Sequence, residues 1–150
     1  MLSIMLAETD PEIMRDLHAI LVSLQESSLA KEGKLRVIVH FKDNKILEPA
    51  REVDLENLEF KKGTFDDALY IAKPDKIVVM SPDGKDSLDV FSKFNSKENI
   101  LVVVGGFTEG DLSENVYKHA DYVVSLSKDL LKIWTVVNEV VAEYEKNLKG

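Results

Sequence analysis

Residues 100–106 read Ile-Leu-Val-Val-Val-Gly-Gly, an apolar run with no polar residue at alternate positions. A strand with one wet face alternates apolar and polar side chains, whereas a strand that is apolar throughout is buried on both faces. A sheet containing such a strand needs cover on both sides, and the usual solution is a mostly parallel sheet flanked by helices. "LSIMLA" (2–7), "KIVVMS" (76–81) and "DYVVSLS" (121–127) read as further strands. The pattern predicts an α/β fold, one domain spanning residues 1–150.

The segments between these strands carry helical spacing. Ile13, Leu17, Ile20, Leu21 and Leu24 fall on one face of a helix that ends near Ser27. Its start is readable in two ways: Thr9 and Glu12 have capping-box spacing, and Asp10 followed by Pro11 is an equally good opening. "LRVIVHF" and "KILEP" around Asp43-Asn44 predict a β-hairpin. Thr64 predicts the cap of a helix over "FDDALYIA", and a helix is expected around Leu88 to Phe94. The longest helix is expected from Lys128 to Leu148, with Leu130, Trp134, Val137, Val141 and Tyr144 on one face and Ser125 or Ser127 as its cap. Residues 52–62 are polar and fit no period.

Composition removes several kinds of chemistry. There is no cysteine, which excludes disulfides and thiolate chemistry, and three scattered histidines do not make a metal cluster. No apolar run has the length of a membrane span, and Met1 to Ala7 lacks the flanks of a signal peptide, so a cytoplasmic protein is expected. The formal net charge of −8 opposes general attraction to polyanions, so nucleic acid would have to be held by a local basic patch.

Ligands of parallel sheets sit beyond the carboxyl ends of the strands. Here those ends are Ala7-Glu8, Met80-Ser81-Pro82, Gly105-Gly106-Phe107 and Ser125-Leu126-Ser127, mostly short, polar or glycine-bearing loops that let a ligand approach the backbone. Gly105 and Gly110 have the outer spacing of a P-loop, but Asp111 and Leu112 stand where Lys and Ser/Thr belong. Glu109 and Asp111 repel phosphate, so a ligand without phosphate and with positive charge fits better, as S-adenosylmethionine does. The glycine pair serves equally well simply to turn a strand.

"VVVGGFTEGDL", "VVSLSKDLL" and "IWTVVNEVVAEYE" resemble the C-terminal half of the Nep/Emg family of ribosome-biogenesis pseudouridine methyltransferases, in the SPOUT superfamily. "LSIMLAE" resembles that family's first strand, and His40 stands in the place of its hairpin histidine. The resemblance implies a trefoil knot from about Met80 onward and a homodimer. It also implies an S-adenosylmethionine pocket made by Met80, Ser81, Val104, Gly105, Gly106, Gly110, Ser125, Leu126, Ser127, Leu130 and Leu131. The reaction implied is methylation of a pseudouridine ring nitrogen in small-subunit ribosomal RNA.

The sequence departs from the family pattern where RNA is gripped. An Arg-Pro-Asp motif is reduced to "IMRD", which leaves Arg15 and Asp16 as the catalytic candidates, and an arginine-rich stretch has become "REVDLENLEFKK". The basic residues left for RNA are Lys31, Lys34, Arg36, Lys42 and Lys45, with His40 beside them; the same lysines are also suited to a solvated hairpin edge. His119 reads as surface, and Trp134 as core or dimer packing. Two functions follow: a ribosomal RNA methyltransferase, or a non-catalytic module that works with ribosome-assembly proteins.

Overall fold

The computed structural model describes residues 1–49, 59–127 and 131–149. Strands β1 (Leu2–Thr9), β2 (Leu35–Phe41), β3 (Lys45–Leu47), β4 (Lys61–Lys62), β5 (Lys76–Met80), β6 (Ile100–Gly105) and β7 (Tyr122–Val124) form one sheet in the order β4-β3-β2-β1-β6-β5-β7. The pairs β1 with β2, β1 with β6, β5 with β6 and β5 with β7 are parallel. The pairs β2 with β3 and β3 with β4, at the β4 edge of the sheet, are antiparallel.

The two-sided cover demanded by residues 100–106 is present. Ile100, Val102 and Val104 point into a cluster with α1 (Met14–Gln25) and α5 (Ile133–Lys149), and Leu101 and Val103 into one with α3 (Phe65–Ala72) and α4 (Glu114–Lys118). Each such side chain contributes about 1.5–3 kcal/mol through burial. Asp in place of Val102, which has 0% exposure, would put an unpaired charge at the centre of the sheet.

Local features mostly follow the sequence. The α1 stripe of Ile13, Leu17, Ile20, Leu21 and Leu24 is buried. Of its two possible starts, the structure uses Asp10: Oδ1 accepts the Glu12 N–H at 3.0 Å, and Pro11 opens a 3₁₀ turn over Pro11–Ile13. Thr9 stays in β1, where its hydroxyl donates to the Leu6 carbonyl. The chain leaves α1 at Gln25, and Ser27 instead caps the short helix α2 (Ser28–Lys31). In the hairpin, Asn44 has φ 60, a left-handed conformation that asparagine tolerates better than most residues. Thr64 and Asp67 make a reciprocal capping box on α3.

Three expectations are corrected. The helix expected around Leu88 to Phe94 is present but is a 3₁₀ helix over Leu88–Lys93. The last helix begins at Ile133, so Ser125 and Ser127 do not cap it; residues 128–130 lie outside those described. Its buried face is Val137, Val140, Val141 and Tyr144, while Trp134 is 56% exposed. The acidic segment from residue 50 to 58 also lies outside the described residues.

Candidate functional site

The parallel register brings the carboxyl ends of β1, β5, β6 and β7 to one edge of the sheet. A cleft opens there, lined by Met80, Ser81, Pro82, Val104, Gly105, Phe107, Gly110, Asp111, Leu112, Val124, Leu126, Ser127, Leu131, Ile133 and Val136. Three loops therefore meet on it, after β5, β6 and β7. Backbone bonds fasten the first to the third: Ser81 N–H donates to Val124 O at 2.9 Å, and Ser125 N–H to Asp86 O at 3.0 Å. A Cβ on Gly84 would lie 2.7 Å from the Val123 carbonyl oxygen, so glycine permits this close approach.

Of the residues expected to hold a cofactor, Met80, Ser81, Val104, Gly105, Gly110, Leu126, Ser127 and Leu131 all line the cleft. Gly106 lies behind it: a Cβ there would stand 2.1 Å from Thr9 Oγ1 and 2.8 Å from Thr9 Cα. Ser125 braces the rim, its hydroxyl within donating distance of the Pro82 and Ser127 carbonyls at 3.2 and 2.9 Å. Leu130 is outside the described residues. Sequence reading placed Phe107 at the end of a strand and noted the charge of Asp111 without assigning either to the cofactor set, and it missed Ile133 and Val136. Phe107 and Asp111 flank named glycines on the same loop, but the two α5 residues were hidden by placing the helix start too early.

The cleft is narrow, about 70 Å³, and the Phe107 ring lies close to Gly105, where a Cβ would come within 2.6 Å of it. A roomier cavity of about 560 Å³ adjoins it, sharing Phe107, Leu131 and Ile133. Asp16, Ile20, Thr108, Lys132, Trp134 and Thr135 line this second space. Asp16 thus reaches a cavity next to the first cleft, whereas Arg15 is exposed on α1 and lines neither.

The chemistry of the first cleft suits an adenosine-bearing cation. Its walls are mainly apolar, backbone of three loops is exposed to it, and Asp111 is the one charged side chain among its described lining residues. Nothing in that lining offers a cation to a phosphate. Asp111 Oδ1 accepts from the Leu112 N–H at 2.7 Å and from the Tyr117 hydroxyl at 2.5 Å. Burial, with the hydrogen bond to Asp111, pushes the Tyr117 hydroxyl up to about 12, so it remains a donor at neutral pH.

The basic stretch is arranged differently from what its spacing suggests. Arg36 is committed to Glu48, through Nε at 3.0 Å and Nη2 at 2.5 Å, and its Nη1 donates to Ile71 O at 2.9 Å. Lys34 pairs with Glu32 at 3.3 Å, Lys42 with Asp10 at 3.2 Å and Lys45 with Asp43 at 3.4 Å; Lys31 is exposed. His40 is 3% exposed and lies beneath this edge, packed edge-on against Phe65. Its Nδ1 accepts the Glu8 N–H, and burial holds its basicity below the usual imidazole range. His119, expected at the surface, is half-buried, 3.3 Å from Asp66 and tilted against Phe65.

Comparison with known proteins agrees with this geometry. The family model described as EMG1/NEP1 methyltransferase matches residues 49–145. The chain is 32% identical to the ribosomal RNA small subunit methyltransferase Nep1 of Thermococcus onnurineus, over 85% of this chain and 69% of that one. It is 26% identical to the protein of the same name from Methanothrix thermoacetophila, over 87% of this chain and 69% of the relative. In fold it is similar to the crystal structure of Archaeoglobus fulgidus Nep1 bound to S-adenosylhomocysteine, with a TM-score of 0.70, 19% identity, and coverage of 92% of this chain and 72% of the other. With a family match across well over half its length, the chain belongs to the EMG1/NEP1 methyltransferase family.

Proposed function

We propose that this protein is an S-adenosylmethionine-dependent methyltransferase that modifies a pseudouridine ring nitrogen in small-subunit ribosomal RNA. The observation that carries this reading is the cleft at the ends of β5, β6 and β7, mainly apolar and with no phosphate-binding cation among its described lining residues, within a chain of this family. Relatives named as ribosomal RNA small subunit methyltransferases supply the substrate class.

Met80, Val104, Leu126, Leu131 and Ile133 would hold the adenosine, with the backbone at Ser81, Gly105 and Gly110 reading its polar edges. When bound, S-adenosylmethionine supplies the methyl group. The protein's part is largely positioning, which can lower the barrier of a two-reactant transfer by several kcal/mol, about 7–11 at best. The Phe107 ring swings off Gly105 to admit the nucleoside, and the adjoining cavity receives the target base. There Asp16 accepts the proton held by the ring nitrogen, a role open to a carboxylate facing that space. The same family reading includes the knotted path after Met80 and a homodimer that covers the exposed Trp134.

A second reading has its own support. Lys34, Arg36, Lys42 and Lys45 are each paired with a carboxylate, and the formal net charge is −8, which reduces the positive charge this edge offers to RNA phosphates. On that reading the protein is an assembly module that meets ribosomal proteins. Incubation with labelled S-adenosylmethionine and small-subunit RNA fragments, with and without pseudouridine, separates the two. Label on the pseudouridine fragment alone is the result expected; no label on either supports the assembly module.

A further inference from the structure

The donor S-adenosylmethionine and its spent product differ by one methyl group and one positive charge. Their adenosine and amino-acid ends are identical, so a site that favours the donor on electrostatic grounds must read the sulfonium. Apolar walls cannot do so; a fixed carboxylate can, because its attraction disappears when the charge does. Asp111 is the one charged side chain among the described residues lining the first cleft.

Its position is not left to rotamer freedom. The Leu112 N–H and the Tyr117 hydroxyl both bond to Oδ1, so Oδ2 keeps its accepting capacity for a ligand. Tyr117 is itself held by α4, whose Val116 is fully buried against the sheet. No described lining residue carries a positive charge that would neutralise Asp111, and Asp83 adds negative potential at Tyr117.

We propose that Asp111, positioned by Tyr117, is the counter-charge for the donor's sulfonium and makes the cleft favour charged donor over neutral product. This rests on reading the cleft as the donor site. Because the charge is lost during transfer, the interaction strengthens donor uptake without adding to product affinity, and it does not assist the transfer step itself.

Calorimetric titration of the intact protein with S-adenosylmethionine and, separately, S-adenosylhomocysteine tests this. Asp111 is exposed, so the attraction is moderated by solvent, and Asp111→Asn is expected to weaken the charged ligand about five- to tenfold while moving the neutral one less than twofold. Tyr117→Phe, which releases Oδ1 without removing the charge, moves the same ratio in the same direction by less. Equal weakening of both ligands, or none of the charged one, overturns the proposal while leaving the donor site standing. If the unaltered protein binds neither ligand, the donor-site reading itself fails. Should Asp111→Asn not fold, Tyr117→Phe carries the comparison, and an unchanged ratio there counts against the proposal.

Discussion

The backbone N–H of Glu8 donates to Nδ1 of His40 at 3.1 Å, across the ends of β1 and β2. Glu8 has φ 51, unusual for a residue with a side chain, and its carboxylate accepts the Ser113 N–H at 2.6 Å, which fastens the start of α4 to β1. The bond to Nδ1 exists only while that nitrogen is unprotonated, and burial already holds His40 below its ordinary range. The unfolded chain binds this proton more readily than the folded one. The stabilisation is therefore complete above the unfolded value of about 6.5 and is lost as pH falls from there toward the lower folded value. Melting curves between pH 7.5 and 5 should show a fall in Tm that His40→Gln flattens; an equal fall in both proteins would exclude His40 as its source.

Gly106 calls for a different test from Gly105. A side chain at Gly106 meets the Thr9 backbone, which cannot step aside, whereas at Gly105 it meets the end of the Phe107 ring, which can. Gly106→Ala should cost about 1–3 kcal/mol in denaturant unfolding as overpacking, and Gly105→Ala markedly less. Equal losses would show that the ring at Phe107 is as rigid as the strand.

Features set by near neighbours were legible in the sequence. The unbroken apolar run of β6, the stripe of α1, the Asn44 turn and the Thr64 box each depend on residues within a turn or two, and each is present. Pairings between distant residues were not legible. Nothing in the spacing of residues 31–45 shows that Arg36 meets Glu48, or that Lys42 meets Asp10, so a basic edge in the sequence became a set of ion pairs in the fold. The α5 periodicity placed Val137, Val141 and Tyr144 correctly, yet the helix starts at Ile133 and Trp134 faces outward. The loop positions of the site were found by topology, because strand ends of a parallel sheet converge whatever their side chains. Asp111 was noted for its charge, but its place on the cleft wall came only from the fold.

Arg36 distinguishes a structural from an RNA-facing role. Its fork holds one carboxylate and one carbonyl, a geometry that lysine cannot copy. Because the pair is about a third exposed on each side, Arg36→Lys should cost only about 0.5–1 kcal/mol of stability. The salt slope of any RNA affinity should not change; a fall in its magnitude of about 0.7–0.9 would instead mark a phosphate contact.

Trp134 is 56% exposed while the apolar residues behind it on α5 are already buried within the protomer. Truncating it should therefore leave monomer stability within about 0.5 kcal/mol. Light scattering is expected to show a dimer for the unaltered chain and a larger monomer fraction for Trp134→Ala. A monomer at every micromolar concentration for the unaltered chain would refute the dimer.

Asp16 and Arg15 are sequence neighbours with different outlooks, since Asp16 lines the cavity beside the donor cleft and Arg15 does not. If Asp16 accepts the ring proton, Asp16→Asn should lower methyl transfer about 10²-fold, within the range for removal of a general base, with donor affinity unchanged. The loss should be smaller at higher pH, where hydroxide and a more ionised base in the substrate replace the carboxylate. Arg15→Gln, lacking that position, should act through substrate affinity, raising KM more than it lowers kcat. Single-turnover transfer at saturating donor and several pH values reads both effects. A pH-independent loss for Asp16→Asn would point to a positioning role, and a larger loss in kcat for Arg15→Gln would exchange the two assignments.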